Sequence, residues 1–493
     1  MLTKTNKVEY VSKKLKKILR KAQTRNDYEL MLEAIECYAF LHCSWNQQYA
    51  DFELERSIKY VSDKIYTPEF SSKDTDPQTV IFHDGFAVDM WTGLSYIYVN
   101  ALLNLGYRVI HLSNRDSEHR QPQLKQAMSG RNVIFEYYCM NGADRVTQSK
   151  DITRIINYYK PQMAFLCISP WDTATVLAYT QYQGIIKRFF INATDHSFWI
   201  GHNAFDSCIE FRNFGAGISM NYRKIDRDRL VILPYYPVVN YQKEFEGFPF
   251  KSDGYKIVFS GGAPYKTFDE NNTFFKLVEA MLGKHEDVIF AYAPKSEELN
   301  CKEIQKKYPN RFFLLEMRKD LYQVLRHVDL YLGTYPVGGG LMMQFAAIAG
   351  RYMLVTAEDD DIRGMLSEEV EEQIFYNSIQ EMEADLDLLL NDQEYLKEKE
   401  KLVENAVISE TEFIHELGNI IQNGRSRFEI NQRKYSVKRL ERVFKERFDF
   451  QYIWNRDILR DEMRPKLLKF FPFYFVKKEI RVVEKLVKLR MKV

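Results

Sequence analysis

The sequence lacks the cysteine patterns of zinc sites and of disulfide frameworks. Its six cysteines are scattered, and no two of them form a Cys-x-x-Cys pair. Zinc fingers and small secreted domains both need cysteines at close, regular spacing. We therefore expect no zinc site and no disulfides, and a reducing, cytoplasmic compartment.

Long hydrophobic segments are also missing. The longest run without a charged residue, residues 330–350, could span a bilayer by its length, but Pro336 and three consecutive glycines interrupt it. The N-terminus carries several lysines and no apolar core of a signal peptide. We therefore predict no transmembrane helix and no signal peptide.

The chain as a whole has almost no net charge, but its C-terminus is strongly basic. The whole chain has a net charge of +1, whereas residues 429–493 contain nineteen Lys and Arg against nine Asp and Glu. Aromatic residues and an amphipathic basic helix in this tail favour peripheral contact with an anionic membrane surface. The alternative is a helix that packs on its own protein or on a second copy. No recognised nucleic-acid-binding fold accompanies the charge, so we expect no nucleic-acid partner.

The length and the pattern of apolar residues predict four regions. An N-terminal helical segment covers residues 1–70, and a basic, aromatic, helical tail covers residues 426–493. Strands and helices alternate in residues 71–240 and again in residues 241–425, which is typical of parallel sheets with crossover helices. The predicted fold class is thus α/β with two Rossmann-like domains.

The first candidate binding site opens the second of these domains. A short apolar strand, residues 256–259, is followed by Ser260, Gly261 and Gly262 and then by Lys266. Glycines let backbone N–H groups approach a phosphate, and a lysine adds a full positive charge. The alternative is that these glycines only shape a turn.

A second glycine cluster follows about 75 residues later. Gly338, Gly339 and Gly340 separate a predicted strand from a helix that begins at Leu341. Because parallel strands end at the same edge of a sheet, both clusters are expected to face one ligand.

Acidic residues and histidines follow two strands of the first domain. His83, Asp84 and Asp89 follow its first strand, and Asp195 and His196 follow a later one. A carboxylate beside an imidazole sets the tautomer of the ring and suits a general base. Adjacent residues on an extended strand point in opposite directions, so the partners could also lie across strands.

On these motifs the sequence resembles the GT-B glycosyltransferases, as a divergent relative of the family 4-like, group 1 superfamily. The likeness covers residues 79–423. It implies a nucleotide sugar in the C-terminal half, with the two glycine turns and Lys266 at its diphosphate, and an acceptor in the N-terminal half. In that superfamily a histidine placed like His196 lines the donor sugar, and a base placed like His83 or Asp84 serves inverting members.

The sequence departs from the superfamily at one motif. Many retaining members carry two glutamates eight positions apart at the second glycine turn, and the later one grips the ribose. The corresponding positions here are Val337 and Phe345, and Gln344 is the nearest polar residue. No Asp-x-Asp occurs at the end of a strand in residues 256–358, and the run from Asp359 to Asp361 is typical of a loop. We therefore expect a metal-independent site without a cofactor, with a UDP-sugar as donor.

The resemblance implies a cytoplasmic glycosyltransferase, peripheral on the inner face of the cell membrane, that takes part in bacterial surface-polysaccharide assembly. The expected acceptor is a hydroxyl of a glycan, a lipid-linked glycan or a protein. A non-catalytic scaffold that pairs with an active partner is the main alternative, and a nucleotide-sugar epimerase is a third. An oligomer is left open.

Overall fold

A computed structural model describes residues 4–86, 93–114, 121–139, 143–294, 301–316, 318–357, 362–431, 433–450 and 469–470. Its helices are α1 (Lys4–Gln23), α2 (Tyr28–Trp45), α3 (Phe52–Ile65), α4 (Leu94–Asn104), α5 (Pro122–Ala127), α6 (Arg145–Tyr159), α7 (Thr173–Thr180), α8 (Asn213–Asn221), α9 (Thr273–Lys284), α10 (Lys302–Lys307), α11 (Leu321–Arg326), α12 (Gly340–Ile348), α13 (Glu368–Ile374), α14 (Ile379–Asn391), α15 (Gln393–Lys401), α16 (Glu410–Asn423) and α17 (Lys438–Phe450). Its strands are β1 (Asp76–Asp84), β2 (Arg108–Asn114), β3 (Val133–Tyr138), β4 (Pro161–Cys167), β5 (Lys187–Ile191), β6 (Ser207–Glu210), β7 (Leu230–Ile232), β8 (Lys256–Gly262), β9 (Val288–Pro294), β10 (Phe312–Leu314), β11 (Leu330–Leu332), β12 (Met353–Thr356) and β13 (Phe375–Tyr376).

Two parallel sheets confirm the predicted α/β class with two Rossmann-like domains. The first sheet has the order β3-β2-β1-β4-β5-β6-β7, and the second has the order β10-β9-β8-β11-β12-β13. In β1 the last six residues are buried, as expected for a parallel strand that is covered by helices on both faces. The strands of each sheet therefore end at one edge, where ligands bind in such folds.

The N-terminal helical segment packs on the first domain. α2 is buried around most of its circumference, and its residues join one hydrophobic core with α1, α3, β1 and α7. Asp27 caps α2 by accepting from the backbone N–H of Leu30, and Asp51 caps α3 by accepting from that of Glu53. Because α2 packs in this core, its C-terminal half lies at the edge of the sheet where the candidate site is found.

The chain crosses between the domains twice. After β7 it passes into β8, and after α15 it returns as α16. Phe413 and Leu417 of α16 are buried in the core of the first domain with Tyr98 and Leu102 of α4. The predicted boundaries at residues 70, 240 and 425 stay predictions, although α16 packs against the domain that precedes it.

Several elements differ from the sequence-based expectation. β6 and α8 have no counterpart among the predicted elements, because the aromatic and polar residues 198–214 show no clear strand or helix pattern. β7 ends at Ile232 rather than at residue 239, since Pro234 and Pro237 follow it. Residues 375–376, predicted as the end of a helix, form the edge strand β13 instead.

The beginning of the basic tail packs on the protein itself. Tyr435, Val437 and Leu440 are buried in a small core with Phe214 and Ile218 of α8. Most of the tail that is predicted to contact a membrane lies outside the described residues, namely 451–468 and 471–493. Contact with a membrane therefore stays a prediction. Among the residues that the structure does describe, no helix is long and apolar enough to cross a membrane.

Candidate active site

A cavity of about 570 Å³ lies between the two domains at the carboxyl ends of their strands. Parts of the chain that are far apart in sequence meet around it. They are α2, the turn after β5, the residues between β6 and α8, the residues that follow β8, the second glycine turn, the loop before α13 and the tail helix α17. The residues that line the cavity include Phe40, Trp171, Asp195, His196, Arg212, Tyr265, Lys266, Val337, Gly338, Gly340, Leu341, Ile362, Met365, Leu440, Val443 and Phe444.

The prediction of a turn at the first glycine cluster is wrong, because Ser260, Gly261 and Gly262 are the last residues of β8 and pair with β9. The residues that follow β8 and the second glycine turn meet at this cavity. Lys266 lies in a short 3₁₀ turn after β8, and its Nζ donates to the carbonyl oxygen of Gly338 over 3.3 Å. The stem of Lys266 packs beside Gly262, where a Cβ would lie at an ordinary contact distance of 3.4 Å from Cδ of the lysine. The lysine charge is thus placed beside the second glycine turn.

Helix α12 begins at this turn. The N–H groups in the first turn of a helix have no intrahelical acceptor, and together with the helix dipole they favour an anion. Gly338 and Gly340 are needed here for close packing. A Cβ on Gly338 would lie 2.0 Å from Cδ1 of Ile362, and a Cβ on Gly340 would lie 2.6 Å from Cε of Met365. The arrangement can hold a phosphate between Lys266 and the start of α12.

The first domain places an acid, a histidine and an arginine at the same cavity. Asp195 is fully buried and forms an ion pair with Arg212, whose Nε donates to Oδ2 over 2.6 Å. Nδ1 of His196 lies 3.1 Å from Oδ1 of the same carboxylate. The side chain of His196 is 41% exposed, so this imidazole can reach a ligand whereas the carboxylate cannot.

The protonation of Asp195 is set by opposing effects. Burial raises the pKa of this carboxyl, but the Arg212 guanidinium and the hydrogen bond with His196 outweigh burial and hold its pKa below the ordinary value. Asp195 is therefore an anion that orients its neighbours, rather than a base that accepts a proton near neutral pH.

Helix α8 approaches this acid closely. A Cβ on Gly215 would lie 2.9 Å from Cβ of Asp195 and 2.4 Å from Oε2 of Glu210. Glu210 is itself buried, and it accepts hydrogen bonds from Asn192 and Ser219. Burial raises the pKa of Glu210, the direction opposite to that of Asp195. The small residues of α8 thus allow two carboxyls to be packed under one helix.

His83 and Asp84, which were predicted to follow the first strand, are instead the last two residues of β1, and neither lines the cavity. His83 is fully buried, with Nδ1 3.3 Å from the Tyr179 hydroxyl and Nε2 3.2 Å from the Thr175 hydroxyl. Burial lowers the pKa of His83 to about 3, so the ring is neutral. Asp84 is also buried, and it accepts from Ser95, His111 and Gln121. These contacts do not support a catalytic role for either residue.

The remaining predicted residues divide into two groups. Gly338, Gly340, Leu341, Lys266, Asp195 and His196 line the cavity, whereas Ser260, Gly261, Gly262, Gly339 and Gln344 support it from outside. Gln344 is buried and donates its amide to the carbonyls of Tyr235 and Met365. Asp89 lies outside the described residues. Every one of these assignments to a binding or catalytic role stays a prediction.

Sequence reasoning assigned no role to several residues of the site. Arg212 was noted only as part of an aromatic, polar segment, and Glu371, which holds the loop beside the cavity, was not singled out. The tail was interpreted as a membrane element, yet Leu440, Val443 and Phe444 of α17 form one wall of the cavity. Only the aromatic–basic pattern of the tail marked it as unusual, and that pattern does not name its target.

The structure is similar to solved structures of sugar-processing proteins. A mutant of the Thermobaculum terrenum O-GlcNAc transferase superposes with a TM-score of 0.52 at 12% identity, covering 89% of this chain and 82% of that one. A glycosyltransferase from Rickettsia africae gives a TM-score of 0.52 at 14% identity, over 71% of this chain and 100% of that one.

The chain has a GT-B glycosyltransferase-like fold. A further GT-B relative in structure is the UDP-GlcNAc 2-epimerase of Neisseria meningitidis bound to UDP-GlcNAc, with a TM-score of 0.50 at 13% identity over 70% of this chain and 100% of that one. No protein-family model and no curated protein sequence matches the chain. At such low identities the likeness establishes the GT-B fold and not the reaction.

Across the described ranges, no group of three or more His, Cys, Asp or Glu side chains could hold a metal ion. The candidate anion site of this GT-B fold is instead built from a lysine and backbone N–H groups. The expectation of a metal-independent donor site stays a prediction.

Proposed function

We propose that this protein is a glycosyltransferase that moves a sugar from a nucleoside diphosphate sugar to an acceptor hydroxyl. The observation that supports it most is the convergence of Lys266 and the start of α12 on the cavity that also contains His196. A UDP-sugar is the donor that we propose, since the GT-B neighbours include an epimerase bound to UDP-GlcNAc.

The proposed chemistry uses groups from both domains. Negative charge builds up on the diphosphate as the glycosidic bond breaks, and Lys266 with the N–H groups of α12 would stabilise that charge without a metal. His196 is the proposed base. If Nδ1 carries the proton that faces Asp195, the lone pair on Nε2 can accept the proton of the acceptor hydroxyl. Closure of the domains would exclude water, which otherwise hydrolyses the donor.

The acceptor side of the cavity is apolar and aromatic. Phe40 of α2, Trp171 and Phe444 of α17 line it. Aromatic walls with few polar groups suit the apolar face of a sugar ring. We propose a glycan, a lipid-linked glycan or a protein as acceptor and bacterial surface-polysaccharide assembly as the setting, with the basic tail as a peripheral membrane contact.

A titration of the purified full chain with nucleoside diphosphates tests the proposal. Calorimetry is expected to find one diphosphate that binds selectively. Lys266→Ala should weaken that binding about tenfold or more, because it removes a hydrogen bond to a charged group. Lys276→Ala, an exposed lysine on α9, is the matched control and should bind as wild type does.

A non-catalytic scaffold is the second candidate. One observation favours it: the two positions that carry glutamates in many retaining members are the cavity residue Val337 and the buried Phe345. A folded wild-type chain that binds none of the nucleoside diphosphates would support the scaffold. Release of an altered sugar nucleotide without any acceptor would instead support an epimerase.

A further inference from the structure

The loop of residues 362–366 connects the two halves of the candidate site. It precedes α13, and Ile362 and Met365 line the cavity. The middle of this loop, Arg363 and Gly364, contacts Arg212 of the first domain. Ile362 and Met365, on either side, contact the second glycine turn.

The contact with the first domain is made through Arg212. Its Nη1 donates to the carbonyl oxygen of Arg363 over 3.2 Å, while its Nε holds Asp195. Gly364 lies directly against the same side chain. A Cβ on Gly364 would lie 2.6 Å from Cβ of Arg212, and its φ of +88° also favours glycine. The position of this loop therefore depends on the Asp195–Arg212 pair.

The backbone of the loop is hydrogen-bonded to the side chain of Glu371. This carboxylate is buried on α13, and it accepts hydrogen bonds from three consecutive backbone N–H groups. They belong to Gly364, at 2.7 and 2.8 Å, to Met365 at 2.8 Å and to Leu366 at 3.0 Å. No other described group organises this stretch of backbone through so many bonds. Glu371 thus fixes where Ile362 and Met365 can lie.

The contact with the second glycine turn is one of close packing. Ile362 covers Gly338 and Met365 covers Gly340, both without room for a Cβ. Gln344 of α12 donates to the carbonyl oxygen of Met365 as well. Because packed groups at this distance cannot move independently, a shift of the loop must shift the start of α12.

We propose that Glu371 is a positioning residue for the diphosphate, acting through the loop of residues 362–366. The loop would transmit the position of Arg212, and with it the position of the first domain, to the N–H groups of α12. This inference rests on the proposed function, because it assumes that a diphosphate binds beside Gly338 and Gly340.

The test compares Glu371→Gln with Glu369→Gln, an exposed glutamate on the same helix. The amide keeps the shape of Glu371 but removes its negative charge, and its NH₂ group cannot take the second bond from the Gly364 N–H that Oε2 accepts. The three bonds to the remaining oxygen become bonds to a neutral acceptor, which are weaker. Affinities are measured by calorimetry for the nucleoside diphosphate that binds best and for its parent nucleoside.

Glu371→Gln should lower the affinity for the diphosphate about tenfold, a size typical of coupling between sites. The affinity for the nucleoside should stay unchanged. Arg212→Lys, which loses the bond to Arg363, should act in the same direction. Equal weakening of diphosphate and nucleoside would show general damage and overturn the proposal. Unchanged diphosphate affinity would overturn it as well.

A second measurement does not depend on any ligand. Hydrogen exchange is followed at Val337, whose N–H donates to Lys266, and at Met343, whose N–H donates to Gly339. Glu371→Gln should speed exchange at both, and Glu369→Gln should not. Faster exchange confined to residues 364–366 would overturn the coupling. If wild type binds no nucleotide but the exchange result holds, the proposed function fails while the mechanical link stands.

Discussion

Nδ1 of His196 lies 3.1 Å from Oδ1 of Asp195, although the two residues are adjacent in sequence. Adjacent side chains meet because residues 193–197 form a turn after β5 rather than an extended strand. Asp195 is buried and bound to Arg212, whereas His196 reaches the cavity. In this pair Asp195 is the buried anion, and His196 is the imidazole that is accessible from the cavity.

We expect His196→Ala to reduce sugar transfer about 10²- to 10⁴-fold, the usual contribution of a positioned general base. The affinity for the nucleoside diphosphate should stay unchanged, because Lys266 and α12 are untouched. Steady-state kinetics and calorimetry on the same sample separate the two effects.

His415→Ala is the matched control for this experiment, since His415 is an exposed residue of α16. Its transfer rate should equal that of wild type. A His196→Ala enzyme that keeps its full turnover number would show that another group takes the proton.

Asp195→Asn should lower the free energy of unfolding by about 3–5 kcal/mol at pH 7, because it leaves Arg212 as a buried charge without its anion. The pKa of Asp195 is depressed in the folded protein, so the stabilisation is present above its unfolded value near 3.8 and is lost as the pH falls below it. Urea unfolding should show the gap between variant and wild type narrowing on acidification below about pH 4.

The control for this pH dependence is Asp63→Asn, which removes an exposed partner of Lys59. Such surface pairs contribute about 0–1 kcal/mol, so little change is expected at any pH. A gap for Asp195→Asn that stays constant down to pH 3 would contradict the assignment of a depressed pKa.

Gly338→Ala should destabilise the protein by about 1–3 kcal/mol, since its Cβ would lie 2.0 Å from Cδ1 of Ile362. Truncating the neighbour in the double variant Gly338→Ala/Ile362→Ala should cost less than the sum of the two single changes. Thermal and urea unfolding measure this coupling.

Gly261→Ala serves as the reference, because its Cβ would meet only ordinary contacts at 3.4 Å or more. It should change stability much less than Gly338→Ala does. Strict additivity in the double variant would mean that the clash is relieved by some other movement.

Arg439→Ala should loosen the tail helix from the second domain, because Nη2 of Arg439 donates to the carbonyl oxygen of Pro336 over 2.5 Å. We expect about two- to tenfold weaker nucleotide binding, the size of one such hydrogen bond, and more donor hydrolysis relative to transfer. Product analysis with and without acceptor measures the ratio.

Lys438→Ala removes the neighbouring exposed lysine of α17 and is the control. Its hydrolysis-to-transfer ratio should match that of wild type. If Arg439→Ala leaves both affinity and ratio unchanged, α17 is a passive wall of the cavity.

Much of the fold could be predicted because parallel strands carry a local signal. Apolar runs such as residues 256–259 and 353–356 indicate strands without reference to distant parts of the chain. They locate the end of a strand less well, since β8 continues to Gly262. The same local logic failed at β6, whose four residues lie in an aromatic segment with no clear alternation. Short strands depend on their neighbours in the sheet more than on their own sequence.

The candidate site was predictable only in part. Lys266 and Gly338 are brought together by the order of strands in one sheet, which sequence reasoning anticipated. His83 appeared equivalent to His196, yet one is buried between Tyr179 and Thr175 while the other lines the cavity. Packing decides whether a residue at the end of a strand is buried against a helix or exposed to the cavity. The local sequence pattern does not show which of the two occurs.

The sequence by itself determined the two α/β units, the second glycine turn and the contact between Asp195 and His196, because each depends on neighbouring residues and backbone geometry. Only the tertiary structure decided that Arg212 joins Asp195 to residues 362–366, that Glu371 holds this loop and that α17 covers the cavity. The bond of Arg212 to Arg363 and the bond of Arg439 in α17 to Pro336 link residues more than a hundred positions apart. Such contacts arise from the burial of charge and of apolar surface between domains, which no local pattern in the sequence shows.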